Sequence, residues 1–65
     1  MIEYSNDDLI RVVNNWVHSA RDRDILIKHY VDGITYEKIA ELYDLSTRQI
    51  ANIIYKYEKM IFKYI

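Results

Sequence analysis

Two helix-start signals only eleven positions apart, at Thr35 and Ser46, set the tightest limit on how this chain folds. Both residue types favour the position before a helix, and Ser46 with Gln49 matches the capping box, in which each side chain satisfies the other's backbone donor. Between the two signals, apolar residues recur at helical spacing. The pattern predicts a short helix over about 35–43, a tight turn, and a second helix over about 47–62.

Two further helices are predicted upstream, over about 6–18 and 21–32. The first follows a serine cap and has apolar residues at three- and four-residue spacing. The second ends near Gly33, the only glycine in the chain, which suits the left-handed residue that closes many helices. The predicted fold is therefore all-α, a small four-helix single domain over residues 1–65.

Composition excludes several classes of protein. A chain of 65 residues can bury one core at most, and it has no room for a walled ligand pocket of about 300 Å³ or more. The absence of cysteine excludes disulfides and thiolate metal sites. No nucleophile elbow, phosphate loop or zinc-binding spacing is present, so we expect no enzyme, no cofactor and no metal.

The hydropathy pattern also bears on location. No run approaches the roughly 18 consecutive apolar residues that a membrane-spanning helix needs, so no membrane partner is expected. The opening segment MIEYSNDDL has no basic stretch followed by an apolar run, so it does not resemble a secretory signal. A cytoplasmic location is the resulting expectation.

The two C-terminal helices have the spacing of a helix-turn-helix. This motif needs a small residue where its helices touch, and Ala40 meets that need. The turn position that often has positive φ is Asp44, which tolerates the left-handed region better than most residues. Apolar residues are also needed around the turn and inside both helices, and those positions hold Ile39, Tyr43, Leu45, Ile50 and Ile53.

The last predicted helix has two opposite faces. One face is apolar and consists of Ile50, Ile54, Tyr57, Ile61 and Tyr64. The opposite face, which we call the outer stripe, consists of Arg48, Asn52, Tyr55 and Lys59. The net charge of the chain is −1, but residues 46–65 hold four bases against one acid. Positive charge is therefore concentrated on the helix that would meet phosphates.

The stretch RDRDILIKHYVDGITYEKIAELYDLSTRQI, residues 21–50, resembles region four of bacterial sigma factors, and the match extends to about residue 57. In that family a helix with a DG or EG turn precedes a capped scaffold helix and a recognition helix that reads promoter DNA in the major groove. Short phage and prophage proteins of Gram-positive bacteria have this form. The resemblance implies a sequence-specific DNA-binding transcriptional regulator in the bacterial cytoplasm and nucleoid. No segment is long enough for region two, which melts promoter DNA, so a complete sigma factor is not expected.

Carried over by position, the resemblance implies roles for particular side chains. The base-reading residues would be Thr47, Arg48, Gln49 and Asn52. Backbone phosphates would be held at the start of the scaffold helix by Thr35, Tyr36 and Lys38. Apart from the resemblance, the polar and cationic side of the last helix makes Tyr55, Lys56 and Lys59 further candidates for contact with the DNA backbone. Housekeeping sigma factors have arginines where this chain has Thr47 and Ala51, so their promoter element need not be its target.

Two alternatives stay open. Residues 1–45 hold nine acids and five bases, and this acidic balance fits a protein-interaction module that binds RNA polymerase or another regulator through the sigma-like surface. Exposed aromatic residues near the C-terminus, such as Tyr55 and Phe62, fit self-association as a homodimer through the last helix or the first.

Other residues with reactive or binding side chains have simpler interpretations. His29 is expected to be half-buried or near a helix end rather than part of a metal or acid–base site. The acid pair Asp22 and Asp24 fits a helix start, where carboxylates interact favourably with the helix dipole. Trp16 belongs to an apolar stripe, so we expect it to anchor the first helix rather than to stack on a base.

Overall fold

Four α-helices make up the part of the chain that the structure, a computed structural model, describes, which is residues 5–65. In chain order they are α1 (Asn6–Trp16), α2 (Ala20–Tyr30), α3 (Tyr36–Tyr43) and α4 (Thr47–Tyr64). No strand occurs within the described range, and the predicted all-α fold of four helices is confirmed.

The described range also bears on the expectations about location. Within residues 5–65 no helix is both long enough and apolar enough to cross a membrane. Residues 1–4, which open the segment where no secretory signal was expected, lie outside the described residues. The expectation that the chain has no secretory signal therefore stays a prediction from the sequence.

A side-chain cap starts every helix. One hydroxyl oxygen accepts a hydrogen bond from the backbone amide three residues further on, and the four capping residues are Ser5, Ser19, Thr35 and Ser46. Each such cap stabilises its helix by about 1 kcal/mol, because it satisfies an amide that has no partner inside the helix. The caps at 35 and 46 begin the two helices of the predicted motif.

The helix ends differ from the predicted bounds by one or two residues. The Arg23 guanidinium donates to the carbonyls of Val17 and His18 at 2.9 and 3.3 Å. These carbonyls thus have a partner outside the helix, and α1 ends at Trp16 instead of continuing to residue 18. The second helix ends at Tyr30, ahead of Gly33 at φ +69°. The last helix continues two residues beyond the predicted bound of 62.

All four helices contribute to one core. Its fully or nearly fully buried members are aliphatic, namely Leu9, Val12, Val13, Val17, Ile25, Leu26, Ile39, Ala40, Ile50, Ile54 and Ile61. Within the core, α4 packs against each of the other three helices. The apolar face of α4 is covered as far as Ile61, whereas Tyr64 at its end is 42% exposed. The opposite face is left toward solvent.

Candidate nucleic-acid interface

The turn between α3 and α4 is closed by a left-handed residue. Asp44 has φ 54° and ψ 43°, as the sequence predicted for this position. The Leu45 amide donates to the Ala40 carbonyl at 2.9 Å, and the Asp44 amide donates to the Glu41 carbonyl at 3.4 Å. This pair of bonds is a Schellman motif, which satisfies the last carbonyls of α3. It fixes the direction in which the chain enters α4.

Behind the turn, small and branched side chains hold the two helices together. Ala40 is 5% exposed, which agrees with its predicted place at the helix contact. Of the apolar positions that the motif needs, Ile39 and Ile50 are fully buried. The remaining three pack partly buried against the same core, and they are Tyr43, Leu45 and Ile53. The geometry of α3 and α4 is therefore that of a helix-turn-helix.

The start of α4 is a complete capping box. The Ser46 hydroxyl accepts from the Gln49 amide at 3.1 Å, and the Gln49 side-chain oxygen accepts from the Ser46 amide at 2.9 Å. The side-chain carbonyl of Gln49 is therefore occupied. Its NH₂ group makes no hydrogen bond within residues 5–65, so it is available to donate to a ligand.

All four predicted base-reading residues are exposed in the first two turns of α4, namely Thr47, Arg48, Gln49 and Asn52. The predicted backbone-binding residues are exposed as well, except for the half-buried Tyr36, and they are Thr35, Tyr36, Lys38, Tyr55, Lys56 and Lys59. Among residues 5–65, Tyr55 is the most exposed of the large apolar side chains, at 62%. The structure thus leaves these side chains open to solvent, and Tyr55 of α4 lies near enough to Tyr36 of α3 to raise its pKa.

The positive charges on α4 have no ionic partners within residues 5–65. The three ion pairs of this range involve α1 and α2, and they are Arg11–Asp8, Arg21–Asp22 and Lys28–Asp24. Two lysines of α4 lie over the ring of the next residue, Lys56 at 5.2 Å from the Tyr57 centroid and Lys63 at 5.4 Å from that of Tyr64. The Arg48 and Lys59 side chains are open to solvent. The positive charge of α4 is therefore available to an anionic partner.

A cluster of ionisable rings lies where α2 meets the start of α3. The ring centroid of His29 is 4.6 Å from that of Tyr30 and 5.0 Å from that of Tyr36. Burial lowers the pKa of His29, and nearby Glu58 opposes this effect. Burial, with Glu58 and Tyr36, raises the pKa of Tyr30 to about 12. Burial and the neighbouring Tyr55 raise the pKa of Tyr36 from its ordinary value of 10.0.

One buried polar contact was missed by sequence reasoning. Asp22 lies in the first turn of α2, as expected, but it is only 5% exposed. Its Oδ2 accepts a hydrogen bond of 2.8 Å from the Tyr57 hydroxyl, and burial together with this bond raises the pKa of Tyr57. The signal in the sequence was Tyr57 itself, because a phenol on an apolar helix face usually has a hydrogen-bond partner.

Two aromatic pairs hold the end of α4. Trp16 stacks on Tyr64 with centroids 4.3 Å apart and planes 12° from parallel, and it stays 47% exposed. Tyr30 meets Phe62 edge to face at 6.2 Å. Trp16 thus joins α1 to the end of α4, as an anchor that remains partly open to solvent rather than a core residue.

The described residues contain neither a pocket nor a group of three or more His, Cys, Asp and Glu side chains that could hold a metal ion. No protein-family model, curated protein or solved structure matches the chain. Functional inference therefore depends on the helix-turn-helix geometry and on the exposed side of α4.

Proposed function

We propose that this protein is a sequence-specific DNA-binding transcriptional regulator, related to region four of bacterial sigma factors, that reads the major groove with α4 in the bacterial cytoplasm. The observation that carries the proposal is the outer stripe, an exposed cationic helix face that follows a helix-turn-helix turn. A helix of about 10–12 Å diameter fits the B-DNA major groove, which is about 12 Å wide. The prediction that the protein is not an enzyme stays a prediction.

Two side chains of the stripe would read bases. Arg48 is exposed and has no ion pair within residues 5–65, so its planar guanidinium is available for a bidentate contact to guanine. Asn52 lies one turn further along the same side and offers the amide that pairs with adenine. Each bidentate contact discriminates by about 1–3 kcal/mol against the wrong base. Thr47 and the free NH₂ of Gln49 would contribute single hydrogen bonds.

Phosphate contacts would surround this reading centre. Thr35, Tyr36 and Lys38 lie at the start of α3, where the positive end of the helix dipole also favours an anion. Tyr36 and Tyr55 would donate their hydroxyl hydrogens to phosphate oxygens. Lys59 follows Arg48 by eleven residues, or about 17 Å along the helix, so it would meet a separate phosphate.

Selection from random-sequence DNA, followed by affinity measurement on the selected duplex and on random duplex, tests this function. Asn52→Ala should weaken specific binding about tenfold and leave random-duplex affinity unchanged, because it removes a base contact without removing charge. Arg48→Ala should lower specific binding more than random binding. Lys63→Ala is the matched control: it removes one positive charge from α4 outside the reading centre, and it should not alter the ratio of specific to random affinity.

Two results would contradict the proposal. If the selection enriches no DNA motif, the protein does not bind DNA sequence-specifically. If Asn52→Ala weakens binding to both duplexes equally, the base-reading role of the stripe is wrong even though DNA is bound.

The outer face of α3 favours a second candidate function, binding of RNA polymerase or another regulator. Leu42 is 53% exposed on this helix, and Glu37 and Glu41 of the same helix are exposed as well. An exposed apolar side chain on a helix that also presents carboxylates suits a partner surface with an apolar recess and positive charge. A pull-down against core polymerase separates the two functions: capture of polymerase without an enriched DNA motif favours the second, and a motif without capture favours the first.

We also propose that the protein self-associates through the exposed aromatic surface at the ends of α1 and α4. Trp16 and Tyr64 are 47% and 42% exposed, and their stacked rings form one continuous surface. Helix-turn-helix proteins commonly bind as twofold dimers on two half-sites one DNA turn apart. Light scattering at micromolar concentration tests this: a mass that stays near 7.9 kDa at every dilution would contradict a homodimer.

A further inference from the structure

Asp22 is the one buried charged side chain within residues 5–65, and the proposed function does not use it. Its Oδ1 lies 3.1 Å from the guanidinium of Arg21, and its Oδ2 accepts the hydroxyl hydrogen of Tyr57 at 2.8 Å. Arg21 and Asp22 belong to α2, whereas Tyr57 belongs to α4. The carboxylate therefore connects two helices that are otherwise joined by apolar packing.

The hydrogen bond lies on the side of α4 opposite the outer stripe. Tyr57 follows Arg48 by nine residues, which at about 100° per residue places the two side chains about 180° apart around the helix axis. The buried residues of α4 are Ile50, Ile54 and Ile61, all of one shape. Burial of these side chains in an apolar core is favourable without regard to direction. The two aromatic pairs, Trp16–Tyr64 and Tyr30–Phe62, lie only at the far end of α4. A hydrogen bond, by contrast, requires alignment of donor and acceptor.

We propose that Asp22 and Tyr57 are positioning residues, whose hydrogen bond fixes the rotation of α4 about its own axis and so determines which side chains the outer stripe presents. The effect on DNA reading rests on the proposed function, but the rotation itself does not.

Energetics agree with a role in positioning rather than in stability. Taking a carboxylate out of water is costly, and replacing a buried polar or charged group by apolar residues of similar volume is often neutral or stabilising. A single buried polar contact can instead specify how helices align. The bond joins α2 to α4, and α4 carries the outer stripe. The bond would therefore specify the alignment of α4.

The chain has no cysteine, so single cysteines report the rotation of α4 cleanly. Ala51 and Ile53 are both half-buried, and they lie on opposite flanks of the outer stripe. Ala51→Cys and Ile53→Cys are each introduced into the otherwise unchanged protein and into the double variant Asp22→Leu/Tyr57→Phe. Rotation of α4 exposes one flank and buries the other, so one thiol-labelling rate should rise severalfold while the other falls.

Three further variants make the test specific. Tyr57→Phe alone removes only the donor and should reproduce the altered ratio of the two labelling rates. Asp22→Asn keeps an oxygen acceptor and should leave that ratio unchanged, even if its stability falls. Tyr64→Phe is the matched control, since it removes a hydroxyl from α4 that has no hydrogen bond within residues 5–65, and its ratio should also be unchanged.

The double variant should retain helical circular dichroism and cooperative unfolding, yet lose about tenfold in its preference for selected over random DNA, the value of one base contact. An unchanged labelling ratio in the folded double variant overturns the proposal. So does a rise of both rates together, which indicates general loosening, and so does an altered ratio in Asp22→Asn. Labelling needs no DNA, so these outcomes decide the positioning role even if the protein binds no DNA at all.

Discussion

Asp44 and Gly33 both have a left-handed backbone conformation, but only glycine adopts this conformation without strain. Asp44, at φ 54°, is strained, whereas Gly33, at φ 69°, is not. A Cβ at Gly33 would meet no atom within 4 Å, so an alanine there is opposed by the backbone alone. Replacing Asp44 by glycine should therefore stabilise the fold, whereas replacing Gly33 by alanine should destabilise it.

Asp44→Gly should raise the free energy of unfolding by about 0.5 kcal/mol, because relief of strain is partly offset by the greater freedom of glycine in the unfolded chain. Gly33→Ala should lower it by about 1 kcal/mol. Urea unfolding at fixed pH measures both. A loss of stability in Asp44→Gly would contradict the account of the turn between α3 and α4.

His29 makes stability depend on pH. Its pKa is lowered from 6.5 by burial, so the folded protein binds this proton less readily than the unfolded chain does. The contribution of neutral His29 is complete above the unfolded value of 6.5 and is lost as pH falls below it. Acid should therefore weaken the fold through this residue.

The comparison with His29→Phe measures this contribution. The difference in unfolding free energy between the two proteins should be constant above about pH 7. As pH falls below 6.5, the histidine protein should lose stability relative to His29→Phe. Parallel stability curves across this range would show that His29 is not responsible. Glu58, which faces the same ring, opposes the effect and stays in place in both proteins.

At the scale of the element, Ser46 is the residue on which the start of α4 depends. Ser46→Ala removes the hydroxyl that accepts from the Gln49 amide, and it should lower stability by about 1 kcal/mol. The first turn of α4, which carries Arg48, should then fray. Specific DNA binding should fall as a consequence, measured by fluorescence anisotropy on the selected duplex.

Ser5→Ala is the matched control, since Ser5 makes the same kind of cap at the start of α1. It should lower stability by a similar amount without altering DNA affinity while the protein remains folded. Equal losses of affinity in the two variants would mean that the cap acts only through global stability.

The helices could be predicted from the sequence because their signals are local. Caps, apolar periodicity and the left-handed turn residue all act within a few positions, and so the outer stripe followed from periodicity alone. The end of α1 could not be predicted, because it depends on Arg23 of the next helix. The Asp22–Tyr57 bond was missed for the same reason, since its partners are 35 positions apart.

The role of Gln49 was ambiguous in the sequence for a different reason. One side chain matched both the capping box and the reading position, and only coordinates could decide which groups of the amide are engaged. The structure assigns its oxygen to the cap and leaves its NH₂ group open. Whether that group meets a base is a matter for the DNA experiments.

At the scale of the whole molecule, the net charge is small, but positive and negative charges lie in different parts of the chain. The chain has a net charge of −1, yet residues 46–65 carry four bases against one acid. We therefore expect modest DNA affinity with a strong dependence on salt. Four to six phosphate contacts predict a slope of about −4 to −5 for log K against log salt, at about −0.9 per contact.

Anisotropy titrations between about 50 and 200 mM salt measure this slope. Lys59→Ala should make it shallower by about 1, because one phosphate contact is lost. A slope near zero would contradict electrostatic contact with DNA and would favour the protein-interaction function of the outer α3 face.

The double anchoring of α4 has a thermodynamic consequence. Ser46 caps the start of this helix, and two aromatic pairs pack its far end against α1 and α2. No proline or glycine lies between these two ends. A partner would meet a preformed rod, and complex formation would immobilise surface side chains without ordering any backbone of α4. Little conformational entropy is then forfeited on docking, so even a few contacts from so small a protein can yield measurable affinity.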